Sequence, residues 1–178
     1  TAVAAELQQV PLTRAPRSTL TIARIGGGES INSIPREGWL EVDVRSTSAS
    51  VLDDIERTMR QLVARIEARE NARRTDGSAA LSAHIEQLGH RPCGSMRDDA
   101  PLVRIAEQAT HAIGRTPRLA TGSTDASVPI SLGIPAIAIG AGGRGGGTHT
   151  PQEWYDDTHG SRGLQRALRI VAIAAGMR

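Results

Sequence analysis

Apolar residues recur along this chain with two periods, and the switches between them mark the elements. Ala2 to Val10 reads as the last turns of a helix, stopped by Pro11. The run STLTIARIGGG follows as a strand, with Leu20 and Ile22 on one face and a glycine turn at its end. WLEVDVRS alternates cleanly: Leu40, Val42 and Val44 share one face, while Glu41, Asp43 and Arg45 share the other. This strand is half buried, with Arg45 on its wet side. Between the two lies GGESINSIPREG, whose Pro35 and glycines mark a connection of hairpin type. The period then becomes 3.6: Val51, Leu52, Ile55, Met59, Leu62, Val63 and Ile66 line one face of a long helix. Ser50 is its expected N-cap and Asp76-Gly77 its expected end. ALSAHIEQL returns to the alternation of a strand.

Helix, strand, strand, helix, strand is most of a ferredoxin-like β-α-β-β-α-β sandwich. Its first strand is missing and would lie before Thr1. From Ala100 the pattern changes: PLVRIAEQATHAIG predicts a helix, TPRLA a short strand, DASVPISLG a brief helix, IPAIAIG a buried strand, and GLQRALRIVAIAAG a terminal helix apolar on most faces. Helices alternating with apolar strands imply an α/β layer with a largely parallel sheet. The expected fold class is therefore α/β, with an α+β two-layer sandwich over residues 1–92 and a partial α/β domain over 93–178. The boundary falls in the loop HRPCGSMRDDA.

Composition narrows the function classes. At 178 residues and 39% apolar content the chain holds one sizeable core or two small ones. No apolar run approaches the ~20 residues of a membrane span, and no signal peptide opens the chain. A net charge of +2, with acids interleaved among bases as in DDIERTMRQLVARIEARENARR, is that of solvated helix faces. With only Trp39, Trp154 and Tyr155 to stack on bases, nucleic acid is an unsuitable partner. Cys93 stands alone, which excludes an intrachain disulfide and a CxxC knuckle. Nothing argues for an oxidising compartment, and a cytoplasmic location is expected.

Chemistry concentrates near AIAIGAGGRGGGTHTPQEWYD. Gly140, Gly142 and Gly145 spell GxGxxG after a predicted strand. A dinucleotide turn, however, needs a helix to start at the third glycine, and GGTHTPQEWYD does not supply one. A phosphate loop of the Walker type needs a lysine, and all 21 basic residues are arginine. Ser123, Asp125 and His149 are the right types for a hydrolytic triad, but Ser123 lies in TGSTD and not in a GxSxG elbow. His149, on a glycine-lined loop after a strand, suits a metal, with Glu153 four residues on as a partner for the imidazole; an exposed loop histidine is the plain alternative. One histidine is short of the three or four ligands that zinc takes. His84, His90 and His111 read as surface or core-edge residues, and Asp157 as the N-cap of the last helix.

Four segments in order, GGESINSIPREGWLEVDVRS, TGSTDASVPISLGIPAIAIGAGG, THTPQEWYD and the terminal helix, resemble the dimeric zinc hydrolases that include glutamate carboxypeptidase, acetylornithine deacetylase and succinyl-diaminopimelate desuccinylase. The resemblance implies a zinc-binding α/β domain interrupted by a ferredoxin-like lid that forms a homodimer. It implies that His149 is the last ligand of one of two zinc ions. Arg45 would bind a free substrate carboxylate, for which a guanidinium fork is suited, and Asn32 the reacting group, in its own or the partner subunit's site. Thr124 and Asp125 would line the site. Read without the resemblance, Arg45 pairs with Asp43 or Glu41, Asn32 is a turn residue, and Asp125 is a helix N-cap. The family's HxD motif, its paired glutamates and a further acidic ligand have no counterpart here, so the general base is expected upstream of Thr1. The expectation is the C-terminal half of a zinc hydrolase acting on a peptide or N-acyl amino acid, inactive alone. The competing expectation is a non-catalytic dimerisation or binding module.

Overall fold

The computed structural model describes residues 2–75 and 77–177. The chain divides into two compact units, Thr1–Cys93 and Gly94–Arg178, each described by itself.

In the first unit, α1 (Ala2–Leu7) leads to an antiparallel hairpin of β1 (Ser18–Gly27) and β2 (Gly38–Ser46), followed by α2 (Ala49–Ala72). The hairpin register sets Leu20 opposite Val44 and Ile22 opposite Val42. Directly opposed side chains share a face, so the stripe predicted on each strand becomes a single apolar surface. A register shift between Ile22 and Arg24 then inserts Ala23 as a bulge, and Ile25 beyond it is exposed. The core lies where Leu7 and Val10 meet Ile55, Leu62 and Ile66 of α2, with Leu20, Ile22, Leu40, Val42 and Val44 packed beneath. Glu6 clasps α1 to α2, accepting from Arg65 at 2.8 Å and Arg69 at 2.7 Å.

Three expectations for this unit need correction. Ser48 and not Ser50 is the N-cap of α2; the Ser48 hydroxyl meets that of Ser50 at 2.9 Å and makes no capping bond. The helix stops at Ala72, short of Asp76, which lies outside the described residues. Residues 80–88 form no ladder. The Leu81 backbone pairs instead with the Asn71 side chain, its N–H donating to Oδ1 at 2.8 Å and its carbonyl accepting from Nδ2 at 2.9 Å. Alternation alone does not make a strand when no neighbouring edge receives its hydrogen bonds.

The second unit packs α3 (Pro101–Ala112) against α5 (Gly160–Ala174). Val103 and Ala109 are buried on one helix, Ile170 and Gly163 on the other. A short α4 (Ser127–Ser131) and a small antiparallel hairpin, β3 (Arg144–Gly146) with β4 (Trp154–Asp156), complete it. The parallel sheet expected here does not form among the described residues. TPRLA and IPAIAIG carry no ladder, and Ile134 and Ile139 are exposed. The terminal helix carries apolar residues on more than its buried face: Ile170 is buried while Leu164, Leu168 and Val171 remain exposed. The molecule is thus of mixed α+β type, helices on small antiparallel sheets. No described helix is long and apolar enough to cross a membrane.

Candidate functional site

The glycine-rich loop is shaped by two aromatic rings. At Gly143, where φ is +65°, a Cβ would sit 2.7 Å from the Tyr155 hydroxyl oxygen; at Gly146 it would sit 2.7 Å from Trp154 Nε1. Both rings therefore lie on bare backbone, which only glycine permits. The Tyr155 hydroxyl donates to the Gly142 carbonyl at 3.1 Å, and Arg166 of α5 donates to the Gly140 carbonyl at 2.5 Å. Gly145 lies within β3. No helix begins at the third glycine, so the GxGxxG spacing has no phosphate-binding helix end behind it.

His149 stands at the tip of this hairpin, exposed, with φ at +64°. Left-handed backbone is uncommon for a residue with a side chain, and it costs on the order of 1–3 kcal/mol that surrounding structure must supply. The support is visible. Thr150 donates both its N–H (2.9 Å) and its hydroxyl (2.7 Å) to the Gly147 carbonyl, and Glu153 donates its N–H to the Thr150 carbonyl at 3.0 Å. The Glu153 carboxylate accepts from the backbone N–H of His149 at 3.4 Å. Glu153 thus meets the amide of His149, where the sequence argument had it orienting the imidazole. An open concavity beside the tip is lined by Arg144, Thr148, Glu153, Trp154 and Tyr155 over the glycine backbone.

Beyond β4 the chain turns into α5 through His159, also left-handed with φ at +68°. His159 is the N-cap position, not Asp157, whose carbonyl accepts from Gly160 at 2.8 Å while its carboxylate lies against that glycine. Asp156 accepts from the Thr158 hydroxyl at 2.6 Å and the Thr158 N–H at 2.9 Å, which hold its carboxyl below the usual range. Thr124 is half-buried at the approach to α4, its carbonyl accepting from Ser127 at 3.0 Å. Ala126, with no side-chain bond, occupies the N-cap position of α4. Asp125 is therefore not that cap.

Arg45 and Asn32 belong to the first unit. The Arg45 Nε donates to the Asp43 carboxylate at 2.5 Å, both side chains about half exposed. The neighbouring Glu41 is taken by Arg24 at 2.9 Å, whose guanidinium also lies over the Trp39 ring at 5.1 Å. Asn32 accepts from the Ser30 hydroxyl at 2.9 Å in the exposed hairpin connection. That connection springs from the Gly27–Gly38 pair, whereas Arg45 pairs with Thr19 at the far end of the ladder. At ~3.3 Å per residue, about 23 Å of strand lies between Gly38 and Arg45. The hairpin does not bring the two residues together at one of its ends. The sequence pattern also gave no notice of β3 and β4, or of the part that Trp154 and Tyr155 play in them.

The described donor set falls short of a whole zinc site. No group of three or more His, Cys, Asp and Glu side chains among the described residues is placed to hold a metal ion, against the three or four protein ligands zinc takes. What the glycine-rich loop offers is the exposed imidazole of His149 on a braced backbone.

No curated protein matches the chain. Residues 2–71, from the start of α1 through all but the last residue of α2, match the family model of the peptidase dimerisation domain, and in that stretch the chain is similar to the dimerisation domains of peptidases.

Proposed function

We propose that this chain is the C-terminal portion of a co-catalytic zinc hydrolase that cleaves amide bonds in peptides or N-acyl amino acids with a free carboxylate. The enzyme would act as a homodimer built through the first unit. The observation that carries this reading is the match of residues 2–71 to the peptidase dimerisation domain. Two features add support: the ordered run of segments that resembles the zinc hydrolases, and the left-handed backbone at His149, since strain of this kind gathers at functional sites.

In this reading His149 gives its imidazole as one ligand to a zinc centre completed by residues outside the chain, and Glu153 holds the loop by its amide. Thr124 and Asp125 line the same site, Arg45 receives the substrate carboxylate, and Asn32 meets the reacting group. No hydrolytic step is assigned to the described residues, because their donors do not make up a metal centre. The general base belongs to sequence ahead of Thr1.

The test is zinc content. Expressed with its upstream coding sequence, the protein should bind two zinc ions per protomer, and His149→Ala should bind one while losing amide hydrolysis. Retention of both ions in His149→Ala removes the residue from the site. Two bound ions with no hydrolysis of any peptide or N-acyl amino acid would favour a non-catalytic binding module.

A further inference from the structure

The proposed chemistry leaves a half-buried cation of the second unit without a task. Arg166 lies on α5, and its Nη2 donates to the Gly140 carbonyl at 2.5 Å. Its Nε is buried and meets no acceptor. An unpaired buried donor is costly, and the placement is sustained by the charge-assisted bond at the end of the same fork.

The face of α5 around Arg166 explains what that bond holds. Gly160, Gly163 and Arg166 recur every three residues, so they neighbour one another along the helix. The glycine-rich loop lies flat on the two glycines. A Cβ at Gly163 would overlap the Ala141 carbonyl, and one at Gly142, where φ is +101°, would come within 2.8 Å of the Gly160 carbonyl oxygen. The glycines permit this approach but supply no side-chain donor; Arg166 supplies one. From the other side the Tyr155 hydroxyl donates to the Gly142 carbonyl at 3.1 Å. Ala141 is thus flanked by two held carbonyls, just ahead of β3. The bonds at the tip, from Thr150 to Gly147, from Glu153 to Thr150 and from His149 to the Glu153 carboxylate, all run within the hairpin. They set the conformation of His149 but not where the hairpin stands on α5.

We infer that Arg166 is a positioning residue: by fixing the Gly140 carbonyl to α5 it anchors the root of the β3–β4 hairpin and so places His149. This rests on the reading of His149 as the functional residue of the loop, while its test reads the hairpin itself and needs no metal.

The experiment follows amide exchange by NMR in residues 1–178. Arg166→Met keeps an apolar stem and removes the donor. Amides of β3, β4, Thr150 and Glu153 should then exchange about tenfold faster, and the His149 ring resonances should move, while α3 amides change by less than about twofold. Arg166→Lys, which restores a cationic donor, should return the hairpin to within about threefold of the original rates. The unsubstituted chain should show a coupling across the hydrogen bond from Arg166 Nη2 to the Gly140 carbonyl carbon, a measurement that requires no variant to fold. Equal acceleration in α3 and the hairpin would make Arg166 a general stabiliser and overturn the inference. So would a lysine variant that exchanges like the methionine one, or a guanidinium that rotates freely with no coupling. Failure of the parent reading shows elsewhere, in the zinc content of His149→Ala, and leaves these rates as they are.

Discussion

His149 and the glycines beneath Trp154 and Tyr155 share one loop but serve different ends. The glycines serve packing, so Gly143→Ala should cost the second unit on the order of 1–3 kcal/mol, from its left-handed backbone and the Tyr155 ring together. Thermal unfolding measures this; an unchanged midpoint would contradict both the left-handed backbone and the close packing of Asp156 and Tyr155 on Gly143. Glu6 gives a prediction of acid sensitivity. Hydrogen bonds from Arg65 and then Arg69 lower its pKa below the ordinary 4.5. The clasp is therefore fully present above that value and is lost as pH falls through the lower folded value. Stability of the first unit should drop on acidification below pH 4.5, and Glu6→Gln should flatten that part of the profile. Arg45→Ala, in the protein that carries its upstream sequence, should raise KM for carboxylate substrates about tenfold, roughly 1.4 kcal/mol, with kcat little changed; an unaltered KM removes Arg45 from substrate binding. At this scale, pairing of Arg45 with Asp43 was legible because the two sit two residues apart on one strand face. The contact of Glu153 with the His149 amide was not, because spacing cannot tell whether a carboxylate meets a ring or an amide.

Elements were legible where their own residues supply the burial. The apolar stripe of α2 announces itself through Ile55, Leu62 and Ile66, and the same residues form the core. Leu62→Ala should accordingly destabilise the first unit by about 2–5 kcal/mol, measured by denaturant unfolding. Ile34→Ala in the exposed hairpin connection should leave it unchanged. The β1–β2 hairpin was legible as well, since alternation on both strands and the Pro–Gly connection agree. Residues 80–88 read as a strand from alternation and 134–140 as a buried strand from an apolar run, but neither carries a ladder. Alternation states which face a segment would bury, whereas a strand also needs a neighbour's edge, a property of residues elsewhere. Leu164, Leu168 and Val171 on α5 show the same condition in a helix, an apolar face exposed beside a buried one.

The molecule as a whole joins two units. The first is similar to peptidase dimerisation domains over residues 2–71, and sedimentation should show a dimer; a chain that stays monomeric at every accessible concentration would contradict that assembly. The second carries His149 and the aromatic-bound loop, and its role rests on the proposal that they complete a zinc centre begun in other sequence. Zinc-dependent hydrolysis of N-acyl amino acids tests this most directly, measured on residues 1–178 alone and on the same chain extended by its upstream coding sequence. The account predicts two zinc ions and turnover in the extended protein, and no zinc-dependent turnover in the chain alone. Turnover by residues 1–178 alone would contradict it.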